Sequence, residues 1–156
     1  MLRVDVRQLK GGAVETDGLL APTDPALEGL DVALSGPVQI EGTLQPTAEG
    51  NFLWRGRLQA TVAGECRRCL SPVTQQIDDE VDVLFSGDPE LADDPSVYPL
   101  PSHVDVIDVT AAVREELALL VSAFPLCRPD CKGFCAACGA DLNAGPCGCV
   151  AAGSTN

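Results

Sequence analysis

The residues best able to do chemistry in this chain of 156 residues are its eight cysteines. They form four close pairs, which are Cys66/Cys69, Cys127/Cys131, Cys135/Cys138 and Cys147/Cys149. Two pairs supply the four thiolates of a tetrahedral zinc site, so the count fits two complete sites. Because a site of four thiolates leaves no position open for water or substrate, we expect zinc to be structural, with two ions favoured over one.

The four pairs can be grouped into two sites in three ways. We favour a site made of the last two pairs, because Gly145, Pro146 and Gly148 make that segment tight. The first two pairs then form the other site, which ties the tip of a hairpin to the end of a helix. A site made of the two middle pairs is our second choice, because only three residues separate Cys131 from Cys135.

A thiol-redox protein is the main chemical alternative, since thiol–disulfide enzymes use the same Cys-x-x-Cys spacing. Such enzymes place the motif at a helix N-terminus, where the helix dipole lowers a thiol pKa. Here strand and turn patterns flank Cys66 and Cys69, which disfavours that chemistry. The single histidine, His103, lies in a proline-rich segment, and the sequence shows no nucleophile elbow or phosphate-binding glycine loop. We therefore predict no catalytic residues, no enzymatic activity and no small-molecule substrate.

The charge of the chain is strongly acidic and unevenly distributed. The formal net charge is −13, and the stretch from Cys69 to Val113 contains ten acidic residues and no Lys or Arg. Such a surface repels phosphate and attracts cationic partners. Four of the ten basic residues lie in or beside the cysteine pairs. These four are Arg67, Arg68, Arg128 and Lys132. Their positive charges either offset the negative charge of the thiolates or contact a nucleic acid.

The expected compartment is the cytoplasm, because the first residues resemble no signal peptide and no run is apolar enough to span a membrane. Thiols stay reduced there, and clustered cysteines more often bind metal than form disulfides.

The elements that must position these cysteines are mostly strands. Apolar residues alternate with polar ones over residues 1–85, and the clearest strand runs from Phe52 to Val62 with a bulge or bend expected at Gly56. The fold class is therefore α+β: an antiparallel sheet or partly open barrel, one packed helix and a cysteine-rich zinc-binding end.

One helix is predicted, at about residues 108–124, with Asp108 or Thr110 as its cap. Its apolar stripe extends to Phe124 and is expected to pack in the core. Residues 86–104 are predicted to be a loop. We expect a core with the helix over residues 1–125, a zinc-binding segment packed on it over 126–150, and a disordered tail over 151–156.

Three segments resemble the YceD family of large-ribosomal-RNA-subunit accumulation proteins. They are CRRCL at 66–70, DVTAAVREELALL at 108–120 and, most specifically, CKGFCAACGADLN at 131–143. The chain has Phe134 and Ala136 where we expect leucine and proline in that family. The resemblance implies a role in accumulation or processing of 23S ribosomal RNA and in assembly of the large ribosomal subunit.

Two direct partners fit this role. One is ribosomal RNA, bound through the four cations near the cysteines, and the other is a basic large-subunit ribosomal protein, bound by the acidic region 78–108. The alternatives are a zinc-stabilised acidic adaptor or chaperone for a cationic protein unrelated to ribosomes, and a thiol-redox protein.

Overall fold

The computed structural model describes residues 1–149, apart from the side chain of Glu49, and divides into two compact units. Unit 1 comprises Met1–Val62 and Gln76–Val121, and unit 2 comprises Ala63–Gln75 with the chain from Ser122 onward. The structure thus places residues 63–75 with the cysteine-rich end, whereas the sequence suggested a boundary at residue 125. The predicted tail, 151–156, lies outside the described residues.

The described residues form eight strands. In chain order they are β1 (Arg3–Asp5), β2 (Val14–Leu20), β3 (Ala33–Leu34), β4 (Val38–Pro46), β5 (Phe52–Glu65), β6 (Pro72–Ser86), β7 (Val97–Pro99) and β8 (Val106–Asp108). The main sheet has the open order β2-β4-β5-β6-β7, with β3 also paired to β5, and β1 pairs with β8 in a second sheet. The antiparallel sheet is confirmed where β4 pairs with β2 and β5.

The segment predicted to be a loop, 86–104, contains regular structure. It begins with a 3₁₀ helix at Pro89–Leu91 and continues into β7, which pairs with β6 in parallel. Buried Val97 and an aromatic contact hold this strand: the Tyr98 ring lies 5.5 Å from that of Phe85. The Tyr98 hydroxyl also donates to Glu115 at 2.8 Å.

Of the bulge or bend predicted at Gly56, the bulge is absent from the β4–β5 pairing, which runs without interruption from Gln39↔Gln59 to Pro46↔Phe52. The glycine is needed for packing. The indole of Trp54, which is fully buried, lies over Gly56, and its Nε1 donates to Thr16 Oγ1 at 2.9 Å. Gly42 lies under the other edge of the same ring. The two glycines therefore make room for the largest side chain of the core.

The helix α1 spans Thr110–Leu120 and ends four residues earlier than predicted. The N-cap residue is Val109, which has no side-chain cap, so the prediction of Asp108 or Thr110 as the cap is wrong. Asp108 nevertheless satisfies one N–H of the first turn, since its Oδ1 accepts a hydrogen bond from the Thr110 backbone N–H at 2.9 Å. The apolar stripe is buried at Val113 and Leu117, but Phe124 is 71% exposed, so the expectation that Phe124 is a core residue is wrong.

Unit 2 is built around sulfur. Its buried cluster consists of Cys66, Cys69 and Cys131, with Val73 and Leu126 packed against it. Its strand segments are the turn-proximal ends of β5 and β6, together with an isolated bridge between Phe134 and Asp141. Among the described residues, no helix is long and apolar enough to cross a membrane.

Candidate metal centres

Two turns with the same backbone hydrogen bonds present four of the cysteines. In the first turn, Leu70 N–H donates to Cys66 O at 2.9 Å, and Cys66 N–H donates to Ser71 O at 2.8 Å. In the second turn, Gly139 N–H donates to Cys135 O and Cys135 N–H donates to Ala140 O, both at 2.8 Å. We call these turns the first and second knuckle.

The backbone reverses in both knuckles at the residue after the second cysteine. Gly139 has φ +72° there, in the left-handed region that glycine adopts without strain. Leu70 occupies the same position of the first knuckle with φ +62°. Among residues 1–149 it is the only residue other than glycine that has a positive φ. A leucine in this conformation is strained.

The sulfur atoms gather into two groups of four, in the arrangement that the spacing favoured. Within each group the Sγ atoms lie within 4.8 Å of one another. The first cluster is Cys66, Cys69, Cys127 and Cys131, and the second cluster is Cys135, Cys138, Cys147 and Cys149.

The first cluster has the dimensions of a tetrahedral metal site. Its Sγ atoms are separated by 3.7 Å for Cys66 and Cys131, and by 3.6 Å for Cys69 and Cys127. Zinc–sulfur bonds of ~2.3 Å give a tetrahedron with sulfur–sulfur edges of ~3.8 Å. A disulfide needs about 2.05 Å between sulfurs, so these pairs fit a shared metal ion far better than a covalent bond.

The thiols of the first cluster differ in acidity. Burial raises the pKa of Cys66, but N–H groups of Cys127, Cys69 and Arg68 outweigh it and bring the pKa to about 6. Hydrogen bonds from Ser71 lower the pKa of Cys69. Burial, followed by contacts with the other sulfurs, raises the pKa of Cys127 to about 12. Thiolate character therefore concentrates on the first knuckle, and metal binding must release the proton of Cys127.

The second cluster follows the same principle. Backbone N–H groups of Cys138 and Ala137 lower the pKa of Cys135 to about 7, with a further contribution from Cys147. Backbone N–H groups that point at a sulfur favour its charged form, which is the form that ligates metal. Each cluster could therefore hold a metal ion through four thiolates. A site with four protein ligands leaves no position open for water, as in structural zinc sites.

Sequence reasoning missed two residues that hold the sulfurs of the first cluster. The Ser71 hydroxyl lies 2.9 Å from Cys69 Sγ, and Asn143 Nδ2 donates to Cys131 Sγ at 3.3 Å. The Asn143 Oδ1 atom in turn accepts from Arg128 Nη2 at 2.7 Å and from the Lys132 N–H at 2.9 Å. Such outer contacts orient ligands, but nothing in the sequence spacing identifies Asn143.

The four cations predicted near the cysteines are used in different ways. Arg68 donates to the backbone oxygen of Cys131 at 2.8 Å, and Arg128 binds Asn143 and lies 3.5 Å from a carboxylate oxygen of Asp130. The guanidinium carbon of Arg67 lies 5.5 Å from the centre of the Phe124 ring. Lys132 is exposed, and within residues 1–149 neither its ammonium nor the Arg67 guanidinium forms an ion pair.

The fold and the clusters together define a β-rich protein with two sites that could each hold a metal ion through four thiolates. The model of the family described as "Large ribosomal RNA subunit accumulation protein YceD" matches residues 54–155. This chain belongs to the YceD family, as the resemblance implied. That description is of an accumulation factor and not of an enzyme.

The chain also matches curated relatives, one of which carries the family name. The chain is 28% identical, over 132 residues and 83% of its length, to an uncharacterized protein of Mycobacterium tuberculosis strain H37Rv. It is also 28% identical, over 152 residues and 86% of its length, to "Large ribosomal RNA subunit accumulation protein YCED homolog 1, chloroplastic" of Zea mays. The matches span 63% of the mycobacterial protein and 51% of the maize protein. No solved structure matches the chain significantly.

Proposed function

We propose that this protein supports accumulation of large-subunit ribosomal RNA by binding and not by catalysis, and that a basic large-subunit ribosomal protein is its direct partner. Two zinc ions, one in each cluster, stabilise unit 2 in this proposal. The family description and the maize relative's name support the link to ribosomal RNA. The charge of one sheet face supports the kind of partner.

We call the solvent-facing side of β2, β4, β5 and β6 the acidic sheet face. The strand register places Asp17 opposite Glu41 and Glu41 opposite Arg57, so side chains of three strands form one row. The face has a shallow depression of about 580 Å³ between the strands. Its acidic residues are Glu15, Asp17, Glu41, Asp78, Glu80 and Asp82.

The two arginines of this face are already neutralised. Arg57 binds Asp78 with two hydrogen bonds of 2.6 and 2.9 Å, and Arg55 lies 3.5 Å from Asp82. Within the described chain, the carboxylates of Glu41 and Glu80 form no ion pair. The face therefore keeps negative charge for a cationic partner, and it repels the phosphates of RNA. This is the observation on which the choice of a protein partner depends.

A pulldown with the tagged full-length chain tests the proposal, with and without nuclease and across salt concentrations. We expect mass spectrometry to identify a basic large-subunit protein whose recovery resists nuclease and falls with salt. The double variant Glu41→Gln/Glu80→Gln should reduce that recovery. The matched control, Glu90→Gln/Asp93→Asn, removes two charges from the segment after β6 and should leave it unchanged.

Two outcomes would contradict the proposal. Recovery of ribosomal components only when RNA is intact would mean that RNA, and not a protein, is the direct partner. Equal recovery by both double variants would mean that the acidic sheet face does not bind. The link to ribosomal RNA is tested separately: cells lacking the protein should accumulate less large-subunit RNA, and the unsubstituted chain should restore it.

A further inference from the structure

Unit 2 has an exposed apolar surface beside the first cluster. Leu70, at the left-handed position of the first knuckle, is 58% exposed. The second knuckle makes the same turn with Gly139, so the turn does not require a leucine. Because the Leu70 side chain is largely exposed, it buries little apolar surface and contributes little to the free energy of folding, although its backbone conformation is strained. Strain of this kind is typical of functional sites.

An aromatic ring and a planar cation lie beside the first knuckle, to which Arg67 itself belongs. Phe124 is 71% exposed, and Arg67 stacks on it. The backbone fixes this pair, because Arg67 N–H donates to Pro125 O at 2.9 Å. The segment of Phe134, which is 42% exposed, also packs against the first knuckle: a Cβ on Gly133 would lie 2.9 Å from Arg68 O. We call Arg67, Leu70, Phe124 and Phe134 the knuckle surface.

The charge around the knuckle surface differs from that of the acidic sheet face. The described part of unit 2 contains four basic and three acidic side chains, and the two proposed zinc–thiolate sites of charge −2 each bring its formal charge to about −3, whereas unit 1 contains six basic and twenty acidic side chains and is far more acidic. Of the four cations of unit 2, Arg68 donates to Cys131 O and Arg128 donates to Asn143 Oδ1 and lies near Asp130. Arg67 and Lys132 are exposed and form no ion pair within residues 1–149, so they are the cations most available to a ligand. An exposed ring, a guanidinium stacked on it and a second cation without an ion pair fit a polyanion that has flat apolar groups.

We propose that the knuckle surface binds single-stranded RNA, with bases stacked on Phe124 and on the Arg67 guanidinium and phosphates contacted by Arg67 and Lys132. Exposed aromatic rings and guanidinium planes are the groups on which unpaired bases stack. A duplex hides the faces of its bases and is not bound in this way. The inference goes beyond the proposed function, since it adds an RNA site on unit 2 to a protein site on unit 1.

The salt dependence should be weak, because only two cations are available. Two phosphate contacts on a single strand give a log–log slope of about −1.4, so a fourfold rise in salt weakens binding about sevenfold. Stacking carries the rest of the affinity and is insensitive to salt.

Fluorescence anisotropy tests the inference, with the zinc-loaded full-length chain and a labelled single-stranded RNA of mixed sequence and about 12 nucleotides. Phe124→Ala should weaken binding about tenfold, since one base stack is lost. Phe124→Trp should retain binding. Leu119→Ala is the matched control, because Leu119 is 78% exposed on α1 of unit 1, and it should bind like the parent. Leu70→Gly, which the knuckle geometry accepts, should keep the thermal stability and metal content of the parent and still bind RNA more weakly.

Two results would overturn the inference. They are equal affinity for the single strand and its duplex, and unchanged affinity in Phe124→Ala. Neither result touches the proposed function, which depends on nuclease-resistant capture by the acidic sheet face. Conversely, loss of that capture leaves the RNA measurement intact.

Discussion

Replacing Gly56 with alanine should disrupt the core of unit 1, although the change adds a single methyl group. A Cβ at this position would lie 2.2 Å from Cη2 and 2.4 Å from Cζ2 of Trp54. Ordinary contact begins near 3.4 Å, so the indole would have to move by more than 1 Å. The ring is fully buried, and its Nε1 is bound to Thr16 Oγ1, so moving it strains the core and weakens that hydrogen bond.

The expected cost follows from these two effects. Overpacking of a core costs about 1–3 kcal/mol, and a buried donor left without its partner costs about 1–3 kcal/mol more. We therefore expect Gly56→Ala to reduce the free energy of unfolding by roughly 3 kcal/mol, which lowers the melting temperature of a chain of this length by about 6–12 °C.

The fluorescence of Trp54 is the natural assay, because it is the one tryptophan of the chain. Denaturant unfolding followed by its emission gives the free energy, and the emission of the native state reports any movement of the ring. Gly36→Ala is the matched control, since a Cβ there has nothing within 4 Å. It should change the free energy of unfolding by no more than about 1 kcal/mol.

The double variant Trp54→Leu/Gly56→Ala gives a further check, measured by circular dichroism. Without the indole, the added methyl group should cost less than about 0.5 kcal/mol, so the two changes should be strongly non-additive. If Gly56→Ala instead unfolds like the parent with unchanged emission, or costs the same with and without the indole, the packing of Trp54 on Gly56 is refuted.

Three further predictions follow from other parts of the molecule. Cys138→Ser should contain one metal ion fewer per chain by mass spectrometry. Because metal binding contributes to the free energy of folding, this variant should also lower the melting temperature of unit 2 by roughly 10 °C or more. An unchanged melting curve would contradict a structural role for the metal. Thr16→Val should reduce the free energy of unfolding by about 1–3 kcal/mol by orphaning Trp54 Nε1, while Thr16→Ser should cost less; equal costs would refute the hydrogen bond. The side-chain and backbone hydrogen bonds from Arg7 lower the pKa of Asp5 from 3.8 to about 2, so this pair should stabilise the fold above pH 3.8 and lose that effect as pH falls through 2. NMR titration should find a higher Asp5 pKa in Arg7→Gln, still below 3.8 because the backbone N–H of residue 7 remains; an unchanged pKa would contradict the side-chain pairing.

The sequence predicts the cysteine clusters well because their geometry is largely local. A Cys-x-x-Cys turn is specified by four adjacent residues, and the short loop between the last two pairs limits which sulfurs can meet. The strand pattern was equally clear where one sheet face is buried and the other solvated, as in β5. The parallel pairing of β7 could not be predicted from the sequence pattern, because its three residues include Pro99 and the packing of Tyr98 depends on the ring of Phe85, which is distant in the chain.

The end of α1 shows why the rest was harder to predict. Phe124 continues the helical spacing of Leu117 and Leu120, so the pattern alone extends the helix. In the structure, Ser122 N–H donates to Gln75 Oε1 at 3.0 Å, and Ser122 O accepts from Gln75 Nε2 at 3.3 Å. These long-range bonds direct the chain away from the helical path, and Phe124 is left in solvent. Asn143 escaped detection for the same reason, since its role depends on contacts across the folded chain.

Metal analysis of the purified full-length chain tests the central claim most directly, because both clusters must be real for unit 2 to have this structure. We predict two zinc ions per chain by elemental analysis and native mass spectrometry, one remaining in Cys66→Ser, and eight reactive thiols after chelation and unfolding. A natively folded chain that contains no metal, or whose cysteines are joined in disulfides, would contradict the account.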